Sequence, residues 1–573
     1  MQQPPPPPPP PQITGVTVAP QSVAIAAGAT TQFTATVTGD ATNSVTWSVN
    51  GVAGGKSTTG TIDASGNYTA PQGTGVAVTI TATSTKDTTK SGNASAKSVA
   101  PGTYAATNNA QVVQYTVTTP ADAKVSVEFG LDTNYGTPTW QQATPAGGGA
   151  VSLFVAGMKA NTTYHMRGVV AFNDGSIFKD ADHTFAVPSL PAGVLPTITT
   201  TTTTGASPQS GVEVLDLAGI GSSLPQGVVV TDLSGNVLWT YYPTMPAGVS
   251  PNPIKLLPNG HFLINFNAQP DGTDSVLQEV DLGGDVVWQM TAADLNNALA
   301  AATCTGCHIT VDGTHHDFVV LPNGHLILLA SLTQSGIQGD VVIDLDQNHK
   351  PVWISNEFNY LQTSRAPFGL PDWTHTNAIL YSKDDGNLII SSRHQSWLMK
   401  LDYQNGAGTG NLIWKMGFQG DFSLVNGTDP TDWFFAQHGP SFVSTNTSGN
   451  FTLVLFDNGN NRMLPGGLCG TSGQPACYST VETLQVDESA KTATIQFNPT
   501  TPEFSFFGGN AEVLPNGNVE FTEASSTPLP ANNGKVYEMT QTNPPQTVWQ
   551  MQVGGIYIYR GFRMPSLYPG VQW

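Results

Sequence analysis

Residues 195–573 repeat themselves. Two strand-forming runs joined by a small turn, the second ending in Val/Ile/Leu-Trp, occur as TDLSGNVLW (Trp239), VDLGGDVVW (Trp288), IDLDQNHKPVW (Trp353), LDYQNGAGTGNLIW (Trp414) and YEMTQTNPPQTVW (Trp549). VDESAKTATIQF ends in Phe497 instead. Between them run hairpins on Gly turns: LPNGHFLI from Leu257, LPNGHLIL from Leu321, KDDGNLII from Lys383, NTSGNFTL from Asn446 and LPNGNVEF from Leu514. Such a period implies six units of about 60 residues, with the terminal MPSLYPG expected to stand in for the sixth Gly turn. Four strands per unit without helical periodicity describe an all-β fold, a six-bladed β-propeller, with a solenoid of strands as the competing arrangement.

The rest of the chain is also β-rich. Residues 1–11 form a polyproline tract of the semi-rigid spacer kind. Residues 12–100 hold short Thr/Val/Ala strands with Gly/Asn turns, the pattern of a small β-sandwich, and resemble bacterial Ig-like adhesion modules. Residues 101–190 predict a second sandwich, in which NTTYHMRGVVAF resembles the fibronectin III strand whose Tyr packs on the preceding turn. TITTTTTTGASP, after VPSLPAGVLP, reads as a Thr/Pro linker opening the last region.

Charge narrows the partners. The formal net charge is −20 and only 10% of residues are charged, against about 25% in ordinary domains. With no basic cluster, nucleic acid and anionic membrane surfaces are disfavoured. No run of eighteen apolar residues exists, so no transmembrane helix is expected. Low Lys content with abundant Thr, Gly, Asn and Ala suggests an extracytoplasmic protein, periplasmic, surface-bound or secreted. The expectation is a removed export signal ahead of Met1, with a lipid anchor as one option.

Aligning the units on their Gly turns brings out a constellation. Three consecutive units place a histidine at the same strand entrance: His315 in THHDF with His316 beside it, His375 in THTN and His438 in QHGP. Counting outward from the turn near Asp384 pairs His375 with Arg393, and the same count sets Asn458 opposite His438. Asn377 should share the face of His375, whereas His394 should point the other way and be structural. In a chain with only 20 Lys and Arg, this is a local basic pocket suited to a small dianion or a sulfate monoester. A His₃ zinc site is the alternative, which the adjacent Arg disfavours, so no metal is expected.

DWTHTNAILY…NLIISSRHQ (372–395), FAQHGPSFV…LVLFDNGNNR (435–462) and HHDFVVLPNGHLILLA (315–330) resemble the bacterial arylsulfate sulfotransferases over residues 195–573. The resemblance implies a propeller with a funnel-shaped site. The activity it implies is sulfuryl transfer from a phenolic sulfate ester to a phenol, by a ping-pong route through a sulfo-histidine and without a nucleotide donor. His438 would be the nucleophile. His375, Asn377 and Arg393 would grip the sulfuryl oxygens. The HHD motif would supply the acid/base, His316 by adjacency to Asp317 or His315 by repeat alignment. Trp433, Phe434, Phe435, Trp373 and Phe368 would line an aromatic slot or else fill the core between blades.

Cysteines add a separate signal. Cys304-Thr-Gly-Cys307-His308 follows the helix-like TAADLNNALAAA and matches the attachment motif of c-type haem, with a local disulfide or free thiol pair as the competing reading. Cys469 and Cys477 bracket a short loop that a disulfide would close in an oxidising compartment. A non-catalytic adhesion propeller, or a sulfatase using water as acceptor, stays open beside the transferase.

Overall fold

The computed structural model describes residues 12–573 apart from 74, 220–221, 247, 269–271, 273 and 526–532, so the polyproline tract 1–11 lies outside the described residues. The chain divides into two compact units, Met1–Pro188 and Ser189–Trp573.

The first unit contains two layered β arrangements. A five-stranded sheet faces a two-stranded and a four-stranded one. Val16, Phe33, Trp47, Tyr68 and Ile80 meet between them in one core. A three-stranded and a six-stranded sheet follow. Their strands alternate buried and exposed positions, as in Val113–Thr119, so each buries one face. The Tyr164 hydroxyl accepts the Lys159 N–H at 3.2 Å, tying the strand Thr163–Phe172 to the turn before it.

The second unit is a β-propeller. Four antiparallel strands from Val249–Leu256 to Val286–Thr291 make one sheet, Gly313–Val320 to Pro351–Asn356 the next, and Thr376–Ser382 to Leu412–Met416 the next. His438–Phe442 and Ala511–Val513 begin two more. The remaining sheet takes Val212–Ala218, Gly227–Thr231 and Val237–Tyr241 from the start of the unit and Tyr557–Met564 from the end of the chain.

Closure by the C-terminal strand explains why MPSLYPG forms no Gly-turn hairpin. The innermost strand of that sheet arrives from the other terminus, so no turn joins it to its neighbour. Nor is TITTTTTTGASP a linker. Thr197–Thr202 pairs along Thr547–Gly554 as the outer strand of the last sheet, a role that suits β-branched Thr.

The repeated motifs have physical work in this architecture. Gly260, Gly324 and Gly517 take φ of 84°, 81° and 84° in the three LPNG turns, a conformation that favours glycine. The repeated Trp couples sheets around the ring. Trp239 Nε1 donates to the Leu282 carbonyl, Trp353 Nε1 to Gly408 and Trp549 Nε1 to Leu233, each at 2.9 Å and each in the outer turn of the next sheet. Trp549 thereby joins the last sheet to the first. TAADLNNALAAA forms the helix Ala292–Ala301, started by a capping box between Thr291 and Asp294. Among the described residues no helix is long and apolar enough to cross a membrane.

Candidate active site

Every histidine of interest sits where an innermost strand is irregular. The pairing register shifts between Thr314 and Phe318, between Thr376 and Ala378, and between His438 and Ser441. His316 and His375 occupy the left-handed region, with φ of 53° and 49°, which costs a non-glycine residue conformational energy. Gly439 follows His438 at φ 46°, and a Cβ there would lie 2.5 Å from Asn510 Cα. These bulges turn side chains off the alternating pattern and toward the axis.

His438 is buried, and its tautomer is set by its neighbours. Asn458 Nδ2 donates to the Ser505 carbonyl at 2.7 Å and the Gly508 carbonyl at 3.1 Å. Its Oδ1 is therefore the atom that faces His438 Nδ1, at 2.6 Å. An acceptor there requires Nδ1 to carry the proton, so Nε2 keeps its lone pair. The Gly508 N–H points at that Nε2 from 3.3 Å. Burial, followed by the charge of Arg393, holds the imidazole well below its ordinary pKa, against the hydrogen bond to Asn458, which favours the charged form. In backbone register His438 pairs with Phe456, not Asn458. The hairpin runs one residue off the count even where it is regular, the bulge adds one more, and the side-chain contact remains.

His375 and Arg393 are cross-strand neighbours, with the Arg393 N–H donating to the His375 carbonyl at 3.2 Å. His375 Nδ1 lies 2.6 Å from Asp372 Oδ2. Burial opposes ionisation of Asp372, but His375, His394 and Arg393 bring its carboxyl down to about 2. Arg393 is buried: Nη2 donates to the Phe506 carbonyl at 2.9 Å, Nη1 lies 2.6 Å from His394 Nε2, and Nε has no protein partner. Burial lowers the guanidinium to about 10, so it stays charged at neutral pH. Asn377 Nδ2 donates at 2.8 Å to the carbonyl of Gln437, the residue before His438.

The expectation that His394 points away is overturned. Residues 393–396 form a turn, where strand alternation lapses. The His394 ring stacks on His375 with centroids 4.5 Å apart, and Phe368 stacks on its other side at 4.8 Å. Burial and then His375 and Arg393 push it down to about 3. Asp372, His375 and His394 bring ligand-type atoms within 4.8 Å of one another, but the Arg393 guanidinium against His394 already supplies the cation of this cluster.

His316 packs edge-on against His375 at 4.7 Å and against Tyr559 at 5.8 Å. Its Nδ1 lies 2.7 Å from His315 Nδ1. Asp317 does not orient either ring. Its carboxylate takes Lys255 Nζ at 2.7 Å and the Ile379 N–H at 2.9 Å, and Arg560 Nη1 stands 3.6 Å away. The acid that faces the histidine pair is Asp340, 3.1 Å from His315 Nε2.

The aromatic slot is mostly elsewhere. Trp373, Trp433, Phe434 and Phe435 are buried in cores between sheets. Of the five, Phe368 alone is half-buried beside the cluster, while half-buried Phe506, whose carbonyl takes Arg393, packs its ring on Phe507. Residues 505–509 clamp the whole arrangement through Ser505, Phe506 and Gly508. Residues 505–509 precede the LPNG turn from Leu514 but carry no titratable side chain at the aligned strand entrance, and Tyr559 and Arg560 lie on a strand that no Gly turn follows, so sequence alignment singles out neither.

Both cysteine pairs are disulfides, Cys304–Cys307 and Cys469–Cys477. The sulfurs to which haem vinyl groups would attach are bonded to each other, Cys307 is buried against Leu295 and Leu299, and His308 Nε2 lies 2.6 Å from the Ala302 carbonyl. The CxxCH residues do not fit covalent haem.

The family model for Arylsulfotransferase (ASST) matches residues 206–560, more than half the chain. No curated protein matches. Among solved structures, a protein of Lactobacillus plantarum is 11% identical, the likeness covering 77% of this chain and 99% of that one with a TM-score of 0.33. A putative oxidoreductase (glucose dehydrogenase) of Thermus thermophilus is 14% identical over 60% of this chain and 100% of that one, with a TM-score of 0.27.

Proposed function

This chain belongs to the arylsulfotransferase family, and from that premise we propose that it moves a sulfuryl group from a phenolic sulfate ester to a phenol through a sulfo-histidine on His438, without a nucleotide sulfate donor. The observation that carries the reading is the tautomer of His438. An imidazole with its proton committed to Asn458 keeps a neutral Nε2 lone pair, approached by the Gly508 N–H and within electrostatic reach of Arg393 and His375.

In the first half-reaction the Nε2 lone pair forms the N–S bond as the S–O bond of the ester breaks. The departing phenolate takes a proton from His316 and leaves as the phenol. In the second, an acceptor phenol gives its proton to His316 and attacks sulfur, the N–S bond breaks, and its electron pair returns to Nε2. Arg393 and His375, with Asn377, hold the sulfuryl oxygens while charge spreads over them. Asp372 fixes the orientation of His375 through Nδ1. Phe368, Phe506 and Phe507 offer flat apolar surface to the aryl ring. Two disulfides favour an oxidising, extracytoplasmic location.

Intact-mass and peptide analysis after brief exposure to p-nitrophenyl sulfate tests the scheme. Gain of one SO₃ on His438, discharged by added phenol and absent in His438→Ala, is the expected result. Discharge as fast without phenol as with it makes the enzyme a sulfatase. A protein that never gains the group is not a transferase of this kind, and the binding-propeller reading replaces it.

A further inference from the structure

Neighbouring residues of a strand point to opposite faces, so His315 and His316 should diverge. They do not. The bulge between Thr314 and Phe318 and the left-handed φ of His316 turn the two rings toward each other, 4.9 Å apart and nearly perpendicular, with Nδ1 atoms 2.7 Å apart. Two ring nitrogens that close must share a proton, one donating and the other accepting. On the far side, His315 Nε2 lies 3.1 Å from Asp340 Oδ1, within ion-pair distance though not in hydrogen-bond geometry. Asp340 Oδ2 is held by Thr374 Oγ1 at 2.7 Å and the Thr376 N–H at 2.5 Å. Thr376 Oγ1 in turn donates at 2.6 Å to buried Glu357.

The arrangement answers a difficulty in the scheme above. His316 must give and take a proton, yet burial, and then the charges of His375, His315, His438 and Arg560, disfavour its imidazolium. Tyr559 and His375 close its other side. A histidine so placed cannot store the proton that it must deliver.

We propose that His315, paired with Asp340, stores the exchanged proton behind His316, so that His316 works as a neutral relay. This rests on the sulfotransferase reading. Before phenolate departure, His315 is an imidazolium beside the Asp340 carboxylate, and its Nδ1–H points to the Nδ1 lone pair of His316, which carries its own proton on Nε2. As the S–O bond breaks, the Nε2 proton passes to the phenolate oxygen and the His315 Nδ1 proton passes to His316 Nδ1. Both imidazoles are then neutral. The acceptor phenol reverses the two transfers as its oxygen attacks sulfur. One proton leaves and one returns per cycle, and Asp340 stays ionised throughout. His315 and Asp340 are positioning residues, since neither touches substrate.

Two donors of different leaving-group basicity separate this role from a structural one. p-Nitrophenolate is a weak base that leaves without a proton, whereas phenolate needs one. In single-turnover rapid-quench measurements, Asp340→Asn and His315→Gln should slow sulfation of His438 by phenyl sulfate about 10²- to 10⁴-fold, and by p-nitrophenyl sulfate less than about tenfold. Equal losses for both donors, or no loss for phenyl sulfate, overturn the relay. If one variant fails to fold by circular dichroism, the other decides. A parent protein that is never sulfated overturns the transferase reading itself. A sulfated parent whose variants lose both donors alike overturns only the relay.

Discussion

Replacing Arg393 by Lys separates the geometry of the guanidinium from its charge. The side chain has five N–H donors. Two are engaged by His394 Nε2 and the Phe506 carbonyl, leaving three, with the buried Nε among them. Two charge-assisted hydrogen bonds to sulfuryl oxygens, at about 1.5–3 kcal/mol each, make the guanidinium worth about 3–6 kcal/mol in the transition state. Lysine keeps the charge but offers a point donor on a flexible stem, so about one of the two bonds survives. The expected loss is about 1.5–3 kcal/mol, or roughly 10- to 150-fold in rate. Arg393→Gln, without charge, should fall further, about 10²- to 10⁴-fold. The p-nitrophenolate burst under single-turnover conditions at neutral pH measures it. Arg393→Lys within about twofold of the parent would refute the reasoning, since the planar fork would then contribute nothing.

The pH dependence of the same burst tests His438. Its folded pKa lies below the ordinary 6.5, so the neutral nucleophile persists as pH falls through 6.5 and is lost only at lower pH. A rate that halves near 6.5 contradicts this. On the alkaline side Arg393 loses its proton as pH rises through about 10, and the rate should decline there. Trp373→Ala, in the core between sheets, should cost about 3–5 kcal/mol of stability in denaturant titrations while Phe506→Ala leaves stability nearly unchanged and raises the KM for aryl donors. The reverse pattern would restore the tryptophan to the substrate slot. Replacing Cys469 and Cys477 by Ser should lower stability by about 2–3 kcal/mol, because a short closed loop constrains the unfolded chain modestly. An unchanged denaturation midpoint refutes it.

Much of the architecture is local in origin, and local signals survive in a sequence. The LPNG turns declare themselves because only a residue tolerant of positive φ serves at Gly260, Gly324 and Gly517. Each repeated Trp marks the end of an outer strand, and the indoles of Trp239, Trp353 and Trp549 reach the next sheet's outer turn. Counting from a Gly turn puts His375 beside Arg393 because the register shift between Thr376 and Ala378 moves the pairing by one residue onto the counted register, with Thr376 opposite Ser392. The same reasoning fails where local regularity fails. His394 joins the site because a turn replaces strand alternation, and the partner of His438 is two residues off its count, one of them from a bulge.

What the sequence alone determined is the all-β repeat and the set of histidines, arginine and asparagine at equivalent strand entrances, because hydrophobic alternation and turn chemistry act over a few residues. What only the tertiary structure decided is which groups meet at the axis. Tyr559 and Arg560 arrive from the far end of the chain by closing the first sheet, residues 505–509 tie Arg393 to His438, and Asp340, rather than Asp317, faces the histidine pair. Those contacts depend on ring closure bringing strands distant in sequence within hydrogen-bonding range, and on bulges that redirect side chains. Neither leaves a periodic trace in the order of residues.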